Sequence, residues 1–349
     1  MRRAPSITVI TAAAALALML AIPWIGGGPP GPRGRAVPST GVPGASVATA
    51  RWYVTVHGEA GPLAQVLAVD GDGRVIGTVL GPCPTDEPPL SELRGIVHLA
   101  DGRLAVVNAK SAASRIIEFD APDPASGTRA WRRVVARRGT GNESMKHPYQ
   151  AVVGPDGAYW VTNQDSATVT RHDVQADPRR PGNPEQDDRP DRVVIRSQDQ
   201  DPDGLGDPRG LAFGPDGAIW ICDRGRRRVV IHDPRTGTLR RIVADESNGL
   251  GHPIQLAFTA DGRSILVTDN LHHCVWRIDA RTGAMQALVR PRSGGLDAPS
   301  SIAIDGDVLL VGSRHGQALL TFDAADGRFL GTFARLPSGP EFVVPAAGR

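Results

Sequence analysis

Between Asp199 and Asp207 the chain reads DQDPDGLGD, with carboxylates at Asp199, Asp201, Asp203 and Asp207. Acids at alternate positions followed by glycine let several oxygens converge on one hard cation, so the run suits calcium. It matches the first half of a calcium loop. The bidentate glutamate expected later is absent, and Gly210 stands there. The competing reading is an acidic linker that continues the charged segment DPRRPGNPEQDDRPD before it. Softer ligands lie elsewhere. His57, His147 and His252, with Asp223 or Asp269, form a candidate zinc or copper set; against it, nine histidines scattered over the chain fall on one face by chance often enough. Nucleophilic catalysis finds no support, because the chain carries no Gly-x-Ser-x-Gly, His-Glu-x-x-His or glycine-rich phosphate loop.

What positions these residues is a repeat. PRGLAFGPDGAIWICD (Pro208–Asp223) restates PYQAVVGPDGAYWVTN (Pro148–Asn163), and further copies run Leu93–Asn108, Pro253–Asp269 and Pro299–Ser313. Each has an apolar run, an Asp-Gly turn and a second apolar run, which is a β-hairpin signal. Each continues into a third strand ending in aspartate, at Asp120, Asp173, Asp233, Asp279 and Asp323, and several into a fourth. The turn aspartates at positions 101, 156, 216, 261 and 305 are 44 to 60 residues apart. Four-stranded units at this period predict propeller blades, each burying its faces against its neighbours. Five copies are whole and a sixth is split. Residues 51–81 supply three strands, and Glu341–Val344 supplies the missing inner one. The prediction is an all-β, six-bladed propeller closed by a C-terminal strand, with no seventh blade, since the insertion 174–207 is too charged and proline-rich to supply a meander. With 41 glycines, 30 prolines and 5% aromatic residues, the composition suits a turn-rich β-protein.

In each unit the first strand starts, and the second ends, on one face. That face gathers His57, Asn108, Asn163, Asp223, Asp269 and Ser313 from strand ends. From strand starts it gathers Arg94, Tyr149, Arg209, Ile254 and Ser300, with His147 and His252 just before their prolines. Convergent polar groups at a channel mouth are the usual place for a ligand. Arg94, Tyr149 and Arg209 favour a small anion, because guanidinium offers fixed, forked donors to carboxylate and phosphate, and a peptide or protein is the other partner expected at this face. Two other roles compete: strand-end Asp and Asn residues can cap backbone, and each arginine can pair with an acid such as Asp223 and seal the channel.

The phrases GPDGAIWICDRGRRRVVIHD and TADGRSILVTDNLHHCVWRID resemble NHL repeats and the related gluconolactonase (SMP-30) propellers over nearly all of residues 52–345. That resemblance implies a six-bladed propeller whose roles range over lactonase, lyase, sensor and binding scaffold. Gluconolactonases hold a divalent cation through an asparagine after the leading proline. This chain has Ile254-Gln255 and Ser300-Ser301 there, and it lacks the Glu-Gly-Pro signature. Peptide-amidating lyases place histidine after that proline, whereas His147 and His252 precede Pro148 and Pro253. Two functions fit these residues: a binding or sensor module, and a metal-dependent hydrolase or lyase at the mouth, of lactonase or amidating-lyase type.

Arg2 and Arg3 precede an uncharged apolar run, Ile7–Ile25, which reads as an export signal or uncleaved anchor within residues 1–25. Residues 26–50 are a Gly/Pro-rich tether, and 51–349 the propeller. The propeller is therefore expected outside the cytoplasm, secreted or held on the outer face of the membrane through this segment alone, as a monomer. A net charge of +2 argues against nucleic acid. The basic loop at Arg224, Arg226, Arg227 and Arg228 reads as a solvated turn. Cys222 and Cys274 fall in neighbouring blades and are either a disulfide or buried thiols; Cys83 is left over.

Overall fold

The computed structural model describes residues 46–58, 63–138, 145–173 and 192–346. The apolar run and nearly all of the tether lie outside the described residues, as does most of the charged insertion. Among the described residues no helix is long and apolar enough to cross a membrane.

The described chain forms six four-stranded antiparallel sheets. Blade 1 takes Pro340–Pro345 as its inner strand, then Trp52–Val56, Val66–Val69 and Val75–Thr78. Blade 2 is Leu93–His98, Leu104–Asn108, Arg115–Phe119 and Trp131–Arg137. Blade 3 is Pro148–Val153, Tyr159–Asn163, Thr168–His172 and Arg192–Ile195. Blade 4 is Pro208–Phe213, Ile219–Asp223, Arg228–His232 and Leu239–Ala244. Blade 5 is Pro253–Phe258, Ser264–Asp269, Cys274–Asp279 and Met285–Val289. Blade 6 is Pro299–Asp305, Val308–Ser313, Ala318–Asp323 and Phe329–Arg335. The inner strands touch in ring order, and the C-terminal strand lies between those of blades 6 and 2. The insertion holds one surprise. Although 174–207 supplies no blade of its own, its Arg192–Ile195 forms the outer strand of blade 3, pairing with Val169–Arg171.

The sequence dictates these sheets through turns and burial. Asp156 and Asp216 each accept an N–H two residues on, from Ala158 and Ala218. Gly157 and Gly217 then take φ of 76° and 74° with open space around them, so backbone conformation alone requires glycine there. The third-strand aspartates work similarly: Asp233 accepts from the N–H groups of Arg235 and Thr236, and Asp279 from Arg281 and Thr282. The second strands are buried along nearly their whole length, while outer strands such as Leu239–Ala244 alternate with solvent. The core is therefore divided among the seams between blades. Trp160 meets Phe213 edge-on across the seam of blades 3 and 4, and Trp220 meets Phe258 across blades 4 and 5. Cys83, Cys222 and Cys274 are all free thiols, the latter two buried.

Candidate ligand site at the channel mouth

Pairing of Pro148 with Asn163, Pro208 with Asp223, Pro253 with Asp269 and Pro299 with Ser313 fixes one face as the place where inner strands begin and second strands end. The second residue of each inner strand then holds an equivalent position around the ring: Glu341, Arg94, Tyr149, Arg209, Ile254 and Ser300. The inner strands approach closely enough that a Cβ on Gly210 would stand 2.8 Å from the Cα of Gln255. Side-chain bonds lock the ring further, as Thr55 donates to the Arg94 carbonyl, Thr162 to that of Arg209 and Ser300 to that of Pro340.

Glu341 is the centre of charge. It is 2% exposed, and its Oε1 lies 2.9 Å from Arg94 Nη1, 3.0 Å from His57 Nδ1 and 3.2 Å from Arg314 Nη2. Burial pushes its carboxyl up, and Arg94, the His57 hydrogen bond and Arg314 together outweigh that and hold it below the usual value. Beside the charges, Tyr149, Ile254 and Phe342 form an apolar plug. The Arg209 guanidinium lies 5.0 Å over the Tyr149 ring, and its Nη2 donates to Asp207. Arg224 donates to the same Asp207 oxygen at 2.9 Å. Four guanidiniums, Arg94, Arg314, Arg209 and Arg224, thus share two carboxylates, Glu341 and Asp207. Arg94 Nε and Arg209 Nε are buried without a hydrogen bond, the latter 2.9 Å from Asp207 Oδ1, and the Tyr149 hydroxyl has no hydrogen-bond partner among the described residues. Burial and Glu341 push that phenol far up, so it stays protonated and a donor.

The other candidate residues sit on this face in different roles. Asp223 accepts from the N–H groups of Gly206 and Asp207 and from Arg228 Nε. Asp269 accepts from those of Gly251, His252, Leu271 and His272 and from Trp276 Nε1. Asn163 donates to the hydroxyls of Thr168 and Thr170. These strand ends hold the loop that leads into their own blade or their own hairpin, which is a capping role. His147, at φ 49°, lies between Glu92 and Asp165 at 3.4 Å from each. The His252 imidazole is held below its ordinary value by burial and by Arg224 and Arg227. Asp199, Asp201 and Asp203 are exposed, with Asp201 capping the Asp203 N–H, while Asp207 turns to Arg209 and Arg224. Among the described residues no three His, Cys, Asp or Glu side chains converge as metal ligands. The arginine loop is a tied turn, not a solvated one: Arg228 pairs with buried Asp223, and Arg226 donates to the carbonyls of Pro202 and Gly204.

Sequence reasoning missed Glu341 and Arg314. The signal for Glu341 was present, because Pro340-Glu341 occupies the register of Pro148-Tyr149 and Pro208-Arg209. Arg314 follows a strand end, and nothing local marks it.

No family model and no curated relative matches this chain. Solved structures do. A nidogen/laminin complex aligns at 16% identity over 85% of this chain and 98% of that one, with a TM-score of 0.58. A Bacteroides caccae protein of unknown function aligns at 12% identity over 85% and 98%, with a TM-score of 0.55. A streptogramin B lyase aligns at 18% identity over 70% and 69%, with a TM-score of 0.48. What is shared is the propeller fold, and function does not travel with it at such identities.

Proposed function

We propose that this protein is an extracytoplasmic ligand-binding module that takes a small carboxylate at the mouth of its central channel. One observation carries the reading: Glu341 and Asp207 are shared among four guanidiniums, Arg94 Nε is buried without an acceptor, and the Tyr149 hydroxyl has no hydrogen-bond partner among the described residues. A buried guanidinium N–H without an acceptor is costly, and a ligand oxyanion satisfies it.

The test is calorimetric titration of small carboxylates and sugar acids against wild type and the Tyr149→Phe, Arg209→Gln double variant. Both substitutions spare the Arg94–Glu341 pair. A ligand whose affinity falls about tenfold or more in the folded double variant supports the reading. Unchanged binding moves the ligand away from the mouth. Turnover of a bound acid would mark a hydrolase or lyase using the same mouth instead.

A further inference from the structure

The face opposite the mouth carries a cavity of about 740 Å³, a volume typical of small-molecule sites. Tyr53, His98, Arg129, Val153 and Ala346 line it, with alanine and proline side chains at its rim. Tyr53 and His98 in its lining stack at 5.9 Å and 22°.

Its unusual member is Arg129. Four arginines are buried among the described residues, Arg94, Arg115, Arg129 and Arg228. Three have an acid in reach: Glu341 for Arg94, Glu87 for Arg115 and Asp223 for Arg228. Arg129 is 3% exposed and has no carboxylate partner among the described residues. Its Nη1 donates to the carbonyls of Gly102 and Asp120, its guanidinium lies 5.6 Å over the Tyr53 ring, and its Nε is buried without an acceptor. The acid at the rim, Asp123, spends Oδ1 on the N–H groups of Ala125 and Ser126. Burial holds the His98 imidazole below its ordinary value, and its Nε2 donates to the Pro345 carbonyl, so it adds no positive charge. A buried cation without a counter-charge is expensive, and its natural complement is an anion brought by a ligand.

We propose that this cavity binds a monocarboxylate with an aromatic or branched apolar body, its carboxylate on Arg129 and its body against Tyr53 and His98. The site stands apart from the channel mouth and does not depend on the reading given for it.

Naphthoate and its neutral analogue naphthylmethanol test this by calorimetric titration of the full chain. Wild type should bind the acid about tenfold or more tightly than the alcohol, since charge-assisted pairing is the difference between them. Arg129→Met should erase that preference. Val153→Trp fills the rim from a position 38% exposed, so it should weaken both probes without touching the core. It decides the matter if Arg129→Met does not fold. Tyr149→Phe, Arg209→Gln should change neither affinity. Equal binding of acid and alcohol by wild type, no binding, or wild-type affinity for naphthoate in Arg129→Met or Val153→Trp would overturn the proposal.

Discussion

At the scale of single residues, the mouth rests on a buried carboxylate whose charge is shared among groups from three blades. Glu341 joins Arg94, His57 and Arg314. Removing one member of a buried ion pair leaves the other uncompensated, which costs more than the pair itself contributes. Glu341→Gln should therefore destabilise the protein by about 3–5 kcal/mol, because Arg94 stays buried without an anion. Urea unfolding of the variant checks this. A loss under about 1 kcal/mol would mean that the guanidinium has reached solvent.

At the scale of elements, the closing strand has no substitute. Pro340–Pro345 pairs with Trp52–Val56, carries Glu341 and Phe342 to the axis, and stands between the inner strands of blades 6 and 2. Deleting Pro340–Arg349 exposes the Trp52–Val56 sheet edge and unseats the plug formed with Tyr149 and Ile254. The expected outcome is loss of a single cooperative melting transition and aggregation on heating. An unchanged calorimetric transition would contradict the clasp.

At the scale of the whole molecule, acid should unfold the propeller through two sets of groups. Burial depresses His172 to about 3, and it lowers His98 and His232 as well. These rings are neutral in the fold. Above the ordinary histidine value near ~6.5 their contribution is complete, and it is lost as pH falls and the unfolded chain takes up protons first. His172 alone should cost about 2 kcal/mol between pH 6.5 and 5. The second set is the capping aspartates. The Arg240 hydrogen bond and backbone N–H groups hold Asp233 at about 2, and similar caps lower Asp279 and Asp323. Their contribution is present above ~4 and disappears as pH falls towards 2. His172→Gln keeps a hydrogen-bonding group beside Thr170 and should flatten the upper window. Urea midpoints at pH 7 and 5 measure it; an unaltered slope would show that His172 titrates normally.

What the sequence by itself determined was everything with a short reach. An Asp-Gly turn needs only neighbouring residues, so its repetition announced the hairpins, the number of blades and the face where Arg94, Tyr149 and Arg209 gather. Even the strand-end caps were legible, because Asp223 and Asp269 hold loops fewer than twenty residues back in their own repeats. Composition misled at one place: the charge of the insertion hid the strand Arg192–Ile195, whose partner Val169–Arg171 lies across a long connection. Only the tertiary structure decided which charges find partners. His57 and Glu341 meet across 284 positions because the ring closes there. The same closure turns Arg94 from a free cation into half of a buried pair, and it leaves Arg129 buried without one. Pairing across such distances depends on where each blade places its neighbour, and no local pattern carries that.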